Sequence, residues 1–132
     1  MHAQGMLEAS PAETIDLDRA SACIEACLDC SHTCITCADA CLHEKDVASL
    51  TRCISLNEQC AAICDATGRI LSRPGDLERT AVSSLLAACE VLCAACAEEC
   101  EQHSGMSHCT ICAEVCRRCQ EACAALSRSL AA

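Results

Sequence analysis

The chain has no aromatic residue: Phe, Tyr and Trp are all absent from its 132 positions. The ring side chains that dominate most protein cores are therefore missing. Large aliphatic residues are also scarce, with Leu, Ile and Val together supplying 24 positions. Combined with a formal net charge of −10, that poverty falls in the compositional range of disordered chains and excludes an ordinary hydrophobic core. Lysine occurs once and the sequence pI is near 4.7. The basic surface that nucleic acid or anionic lipid would need is absent. Residues 1–16 carry neither a basic region nor an apolar one of the secretory-leader type. No uncharged apolar run is long enough to span a bilayer. The expected location is the cytosol, where thiols are held reduced.

What the chain has instead is cysteine, 18 residues of 132, together with 24 alanines that favour helix. Gly and Pro number only 4 and 2, so disorder is the weaker alternative and Cys with Ala must build the interior. Three polar breaks divide the sequence: His43–Asp46, Arg73–Asp76 and Ser104–Ser107. They predict helices over about 15–43, 46–72, 76–103 and 108–130. Residues 1–14 are left as an extension, either mobile or a short helix. Ser10-Pro11-Ala12-Glu13 has the form of a capping box with proline at the first helical position. Asp46, Asp76 and Ser107 are the expected N-caps of the later helices.

The cysteines then set the period. They fall at Cys23, Cys27, Cys30, Cys34, Cys37 and Cys41 in the first segment. The third has Cys89, Cys93, Cys96 and Cys100, and the fourth has Cys109, Cys112, Cys116, Cys119 and Cys123. Every step is three or four residues, alternating, as in the a/d seam of a heptad repeat with Cys in place of Leu. The second segment has Cys53, Cys60 and Cys64, its stripe completed by Asn57, Thr67 and Leu71. Four such helices with short connections predict an all-α, antiparallel four-helix bundle with inward-facing Cys stripes. A column of sulfur would run along its axis. Leu71, Val82, Leu86, Leu126 and Leu130 continue the stripes at one end and plug it. The other end carries His43, His103, Met106 and His108 and is the expected entrance. A second apolar stripe includes Ile24, Leu28, Ile35, Ala38 and Leu42 on the first helix. On the second helix it includes Leu56, Ile63 and Ile70. It serves either helix flanks or an oligomer surface.

Reduced thiols in this number point to metal. As small buried hydrophobes they have no advantage over Leu or Ala and carry an oxidation hazard. Helical neighbours three or four apart have Cβ atoms about 5–6 Å apart, too wide for a disulfide, which needs about 3.5–4.5 Å. The gap suits a metal bridging two sulfurs. Thiolate selects Cu(I), zinc or iron–sulfur clusters. Tetrahedral Cys₄ zinc sites would each leave two negative charges inside an already acidic chain with no buried cation stripe, which is costly. Iron–sulfur clusters are wrapped by loops more than by rigid ladders. Cu(I) exchanges one proton for one charge at each thiol and leaves the core near neutral. One copper per thiol gives a capacity of about 18 per chain, the scale of bulk holding. A zinc or thiol buffer is the alternative. A thiol-redox enzyme is the other, but no Cys-x-x-Cys here has a thioredoxin-like setting.

The runs Cys23-Ile-Glu-Ala-Cys27-Leu-Asp-Cys30, Cys60-Ala-Ala-Ile-Cys64 and Cys109-Thr-Ile-Cys112-Ala-Glu-Val-Cys116-Arg-Arg-Cys119 resemble the bacterial cytosolic copper storage proteins. The resemblance covers about residues 15–130. It implies a non-enzymatic bundle that sequesters many Cu(I) ions on Cys thiolates. It also implies a homotetramer of bundles, with His and Met residues at one open end assisting copper. Among residues other than cysteine, His103 lies three past Cys100 and stays on the stripe, or it is a solvated helix end. His108 adjoins Cys109, Met106 lies in the same loop, and His43 lies off the stripe. These four are candidate entrance ligands. His32 falls on the outer face. Asn57 is a candidate auxiliary ligand or a buried polar group with a hydrogen-bond partner. Glu98, Glu99 and Glu101 read as a solvated face.

Overall fold

A computed structural model of the chain describes residues 1–131. Among them it contains five α-helices and a 3-10 turn, with no strand: α1 (Ala3–Ala9), α2 (Leu17–Leu42), the turn Val47–Leu50, α3 (Thr51–Leu71), α4 (Arg79–Glu101) and α5 (Ser107–Ala131). The four long helices form the bundle. Packing runs around a ring, α2 on α3, α3 on α4, α4 on α5 and α5 back on α2. Short connections alternate their direction, so every neighbour is antiparallel. With 26 residues, α2 is about 39 Å long and sets the length of the axis. By length and composition alone α4 would cross a membrane, yet its four cysteines are buried inside the bundle.

The core is as unusual as the composition demands. All 18 cysteines are buried, and the other buried apolar residues are Ala and Leu in equal number with Ile24, Val82 and Val115. Close approach compensates for small side chains. Gly68 on α3 lets the backbone come so near α2 that a Cβ there would sit 3.1 Å from Leu28 Cδ2. At one end Leu71, Val82, Leu86 and Leu126 are all buried, and Leu71, Val82, Leu126 and Leu130 line one small cavity with Ile15 and Leu77. This end is closed by aliphatic side chains. At the other end the 3-10 turn packs on α2 and α3 and buries Leu50 completely, so that end also carries one apolar side chain. The second apolar stripe divides. Ile24, Ala38 and Leu56 are buried, whereas Ile35, Leu42 and Ile70 are exposed.

Helix ends depart from the sequence expectations. Ser10 starts no helix: it follows the last residue of α1 in an extended conformation. Its hydroxyl accepts from the Ala12 N–H two residues on, a local turn that competes with a capping box. The cap of α2 is Asp16, at φ 48°, whose side chain accepts from the Arg19 N–H. Asp tolerates this left-handed geometry because its carboxylate bonds locally. The Arg19 guanidinium and the Ser129 hydroxyl of α5 also donate to that carboxylate, tying the start of α2 to the end of α5. Asp46 precedes the 3-10 turn without a side-chain cap. Glu78 instead of Asp76 caps α4 through the Ala81 N–H, and Ser107 is the first helical residue of α5.

Candidate metal centre

Each cysteine of the seams is 0 or 1 % exposed. Their sulfurs touch across the axis as well as along each helix. At the closed end Cys23 and Cys123 are 3.7 Å apart. In mid-column Cys30 lies 3.7 Å from both Cys60 and Cys116. Further along, Cys34 lies 3.8 Å from Cys112 and 3.6 Å from Cys116. On the opposite side Cys64 contacts Cys89 at 3.7 Å, Cys93 at 3.6 Å and Cys119 at 3.8 Å. At the open rim Cys53 and Cys100 are 3.8 Å apart and Cys37 and Cys109 are 4.0 Å apart. Two metal–sulfur bonds of about 2.3 Å at a trigonal or tetrahedral angle span about 3.7–4.0 Å. The thiols therefore already stand close enough for neighbouring sulfurs to share a soft metal ion.

They also group. Cys27, Cys89, Cys119 and Cys123 converge within metal-binding reach, as do Cys30, Cys34, Cys60 and Cys116. Further groups are Cys30, Cys64, Cys93 and Cys119, and Cys34, Cys96, Cys112 and Cys116. Several cysteines belong to two groups, so the sites merge into a chain of shared sulfurs. The buried polar residues of the described chain are Ser21, Ser31, Asn57 and Thr67, none of them a cation. Excess negative charge in the column has no buried partner, which favours cargo that leaves each thiolate site neutral.

Two of the other seam residues fill cysteine slots. Asn57 is fully buried. Its Oδ1 accepts from the Cys96 and Cys112 thiols at 3.2 Å each, and its Nδ2 donates to Cys53 at 3.6 Å. It is joined to the sulfur network on three sides. Thr67 is turned inward too, but its hydroxyl donates to the Ile63 carbonyl of its own helix.

The rim residues separate sharply. His108 joins Cys37, Cys41 and Cys109 in one ligand group. Its Nδ1 is 3.4 Å from Cys37 Sγ and 3.6 Å from Cys109 Sγ, while its buried Nε2 lies 3.8 Å from Glu44 Oε2. His103 takes a different partner: its Nε2 is 2.7 Å from Glu99 Oε2. Met106 is half-buried against the core, with its N–H donated to the His103 carbonyl. His43 is exposed and bonds back to the Asp39 carbonyl, away from the sulfurs, because two residues past Cys41 is more than half-way round the helix. His32 is exposed as its outer position predicts. Glu98 and Glu101 are exposed, but Glu99 is not on a solvated face. Its side chain is 12 % exposed between His103 and Arg52. The i, i+4 relation of Glu99 to His103 was the available signal for that pairing. Glu44 and Leu50 had no comparable signal.

The rim thiols divide: Cys53 is held down by hydrogen bonding with Cys100, whereas burial raises Cys41 and Cys109. Cys41 is pushed up to about 12, first by burial and then by repulsion from Cys53 and Cys109. Cys109 is pushed up to about 11 by burial and by the field of Cys53. Deeper in, Cys34 and Cys64 are raised through hydrogen bonds to Cys112 and Cys119 respectively. The raised groups are neutral thiols near pH 7, and a metal must displace their protons.

A four-helix bundle whose core is a continuous file of free thiols defines a class: helical proteins that hold soft metal ions inside the bundle. A family model described as copper storage protein matches residues 16–128, and the chain belongs to that family. Among solved structures it is similar to the copper storage protein Ccsp from Streptomyces lividans, loaded with 10 copper equivalents. The two share 42 % identity over 96 % of this chain and 98 % of that one, with a TM-score of 0.93. It is also similar to Cu(I)-bound copper storage protein BsCsp3 from Bacillus subtilis, at 34 % identity over 83 % of this chain and 98 % of that one, TM-score 0.74. A curated relative, the uncharacterized cysteine-rich protein YhjQ of Bacillus subtilis, is 36 % identical over 86 % of this chain and 96 % of its own length.

Proposed function

We propose that the chain stores Cu(I) in bulk in the cytosol, on the order of 18 ions per chain, one for each thiol. The observation that carries this is the column of buried thiols, nearly all with a sulfur neighbour at 3.6–4.0 Å and with no buried cation beside them among the described residues. Replacing each thiol proton by a monovalent ion keeps that column near neutral. A divalent ion on four thiolates does not, which disfavours the zinc buffer. Thiols shared between neighbouring groups bridge two ions each, so filling proceeds as clusters. No cysteine stands exposed with a resolving partner, as a thiol-redox enzyme would require. The protein holds its cargo without turnover.

Uptake begins at the rim, where His108 offers Nδ1 next to Cys37, Cys41 and Cys109. His103 and Met106 belong to the same mouth. Asn57 Oδ1 is a weak auxiliary donor next to Cys96 and Cys112. His43 has no part in binding. Exposed Ile35, Leu42, Ile70, Val91 and Ile111 supply the apolar faces through which bundles associate as a homotetramer, in line with the family resemblance. Light scattering coupled to size exclusion reads that assembly directly.

The deciding experiment is an anaerobic titration of fully reduced protein with Cu(I) against a competing chelator. A sharp end-point near 18 per chain is expected. An end-point of one or two overturns storage and returns the cysteines to a structural or redox role. The same titration against zinc at equal free thiol separates copper from a zinc buffer.

A further inference from the structure

One carboxylate at the rim stands apart from the thiol column. Glu99 lies on α4 immediately before Cys100, with a side chain 12 % exposed. Its Oε2 is 2.7 Å from Nε2 of His103, itself 17 % exposed. The other oxygen is 3.8 Å from Nε of Arg52 on α3, next to Cys53. On an open helix surface a Glu–His pair one turn apart contributes little. This one is withdrawn from water at the mouth of the column, beside the Cys53–Cys100 contact of 3.8 Å.

A carboxylate on one ring nitrogen fixes the tautomer of a histidine and leaves the lone pair of the other nitrogen for a metal. The second rim histidine has the same orientation. His108 turns Nε2 toward Glu44 and Nδ1 toward two sulfurs. Nε2 of His108 stands 3.8 Å from Glu44, beyond hydrogen-bond distance and without a partner among the described residues, so a bonded carboxylate is particular to His103.

We propose that Glu99 is a positioning residue for copper uptake: it takes the Nε2–H of His103 and holds Nδ1 as the free donor on the α3–α4 side of the rim. The role rests on the storage function above. It touches no copper in the column, so it governs the rate of filling and not the capacity.

The test delivers Cu(I) from a bicinchoninate complex to the full reduced chain and reads both rate and end-point. In E99L, uptake slows about tenfold, the scale for losing the partner of a metal-binding histidine, while the end-point stays that of the parent. E99Q, whose amide oxygen still accepts, recovers most of the rate. H103A is as slow as E99L, and E99L added to H103A slows it no further. Long-range ¹H–¹⁵N NMR of the metal-free parent gives the Nε2–H tautomer at His103, lost in E99L. Parent-like uptake by E99L, equal slowing by E99L in the H103A background, or an Nδ1–H ring in the parent overturns the proposal. If E99L does not fold, the tautomer in the parent and the rate of E99Q decide. A parent end-point of one or two would instead remove the storage function itself.

Discussion

At the rim, Cys41 and Cys109 each carry a proton that burial defends. Because Cys41 and Cys109 are raised to about 12 and about 11 in the fold, the native metal-free state holds protons that the unfolded chain gives up near pH 8.5. The sign follows: stability is full below the unfolded thiol range and is lost as pH rises toward the folded values. The metal-free bundle should melt at progressively lower temperature between about pH 8.5 and 11. The copper-loaded bundle, with its thiols already deprotonated, should show no such slope. A flat metal-free profile would mean the core thiols are not held protonated. Asn57 supplies a second residue-scale prediction. Asn57→Cys restores the missing member of the α3 seam and should raise the Cu(I) end-point by about one; an unchanged end-point would show that this slot lies outside the filling path. Asn57 was legible in the sequence because it interrupts a heptad of cysteines. The Glu99–His103 contact was legible only in its i, i+4 spacing; that Glu99 is withdrawn from water while Glu98 and Glu101 are exposed came from side-chain placement.

At the scale of the helix, the seam spacing carries nearly all the information. Steps of three and four residues fix which face of α2, α4 and α5 turns inward, and α3 follows from three cysteines and Leu71. Ends are harder to read, because several polar residues within one turn can each satisfy the first N–H groups. Asp16 won over Ser10 through contacts from Arg19 and the distant Ser129, and no local pattern announces a partner 113 residues away. The same holds for the 3-10 turn that brings Leu50 under the rim. The closed end yields a prediction of its own. Leu86 is fully buried there, so Leu86→Ala should cost about 2–5 kcal/mol of metal-free stability, read by chemical denaturation. The copper end-point should not change, because the sulfurs lie further along the axis. A fall in capacity would place part of the filling path at that end.

For the molecule as a whole, the missing aromatics and the sparse aliphatics are one design statement: volume that other bundles give to Leu and Phe is here given to ligand atoms. Metal-free, the bundle depends on small contacts, alanine-rich helices and a few leucines at its closed end. Bound ions that prefer the folded state add stability by mass action. The two ends also make the column directional. One is sealed by Leu71, Val82, Leu86 and Leu126, and the other carries the histidines. With a single mouth, the interior behaves as a stack in which the last ion to arrive is the first able to leave. A chain half-filled with one copper isotope and completed with a second should therefore release the second isotope first to a chelator. Release in proportion to content would mean that ions exchange along the sulfurs faster than they depart. Either ordering assigns the store a memory, long or short, of the sequence in which it was filled.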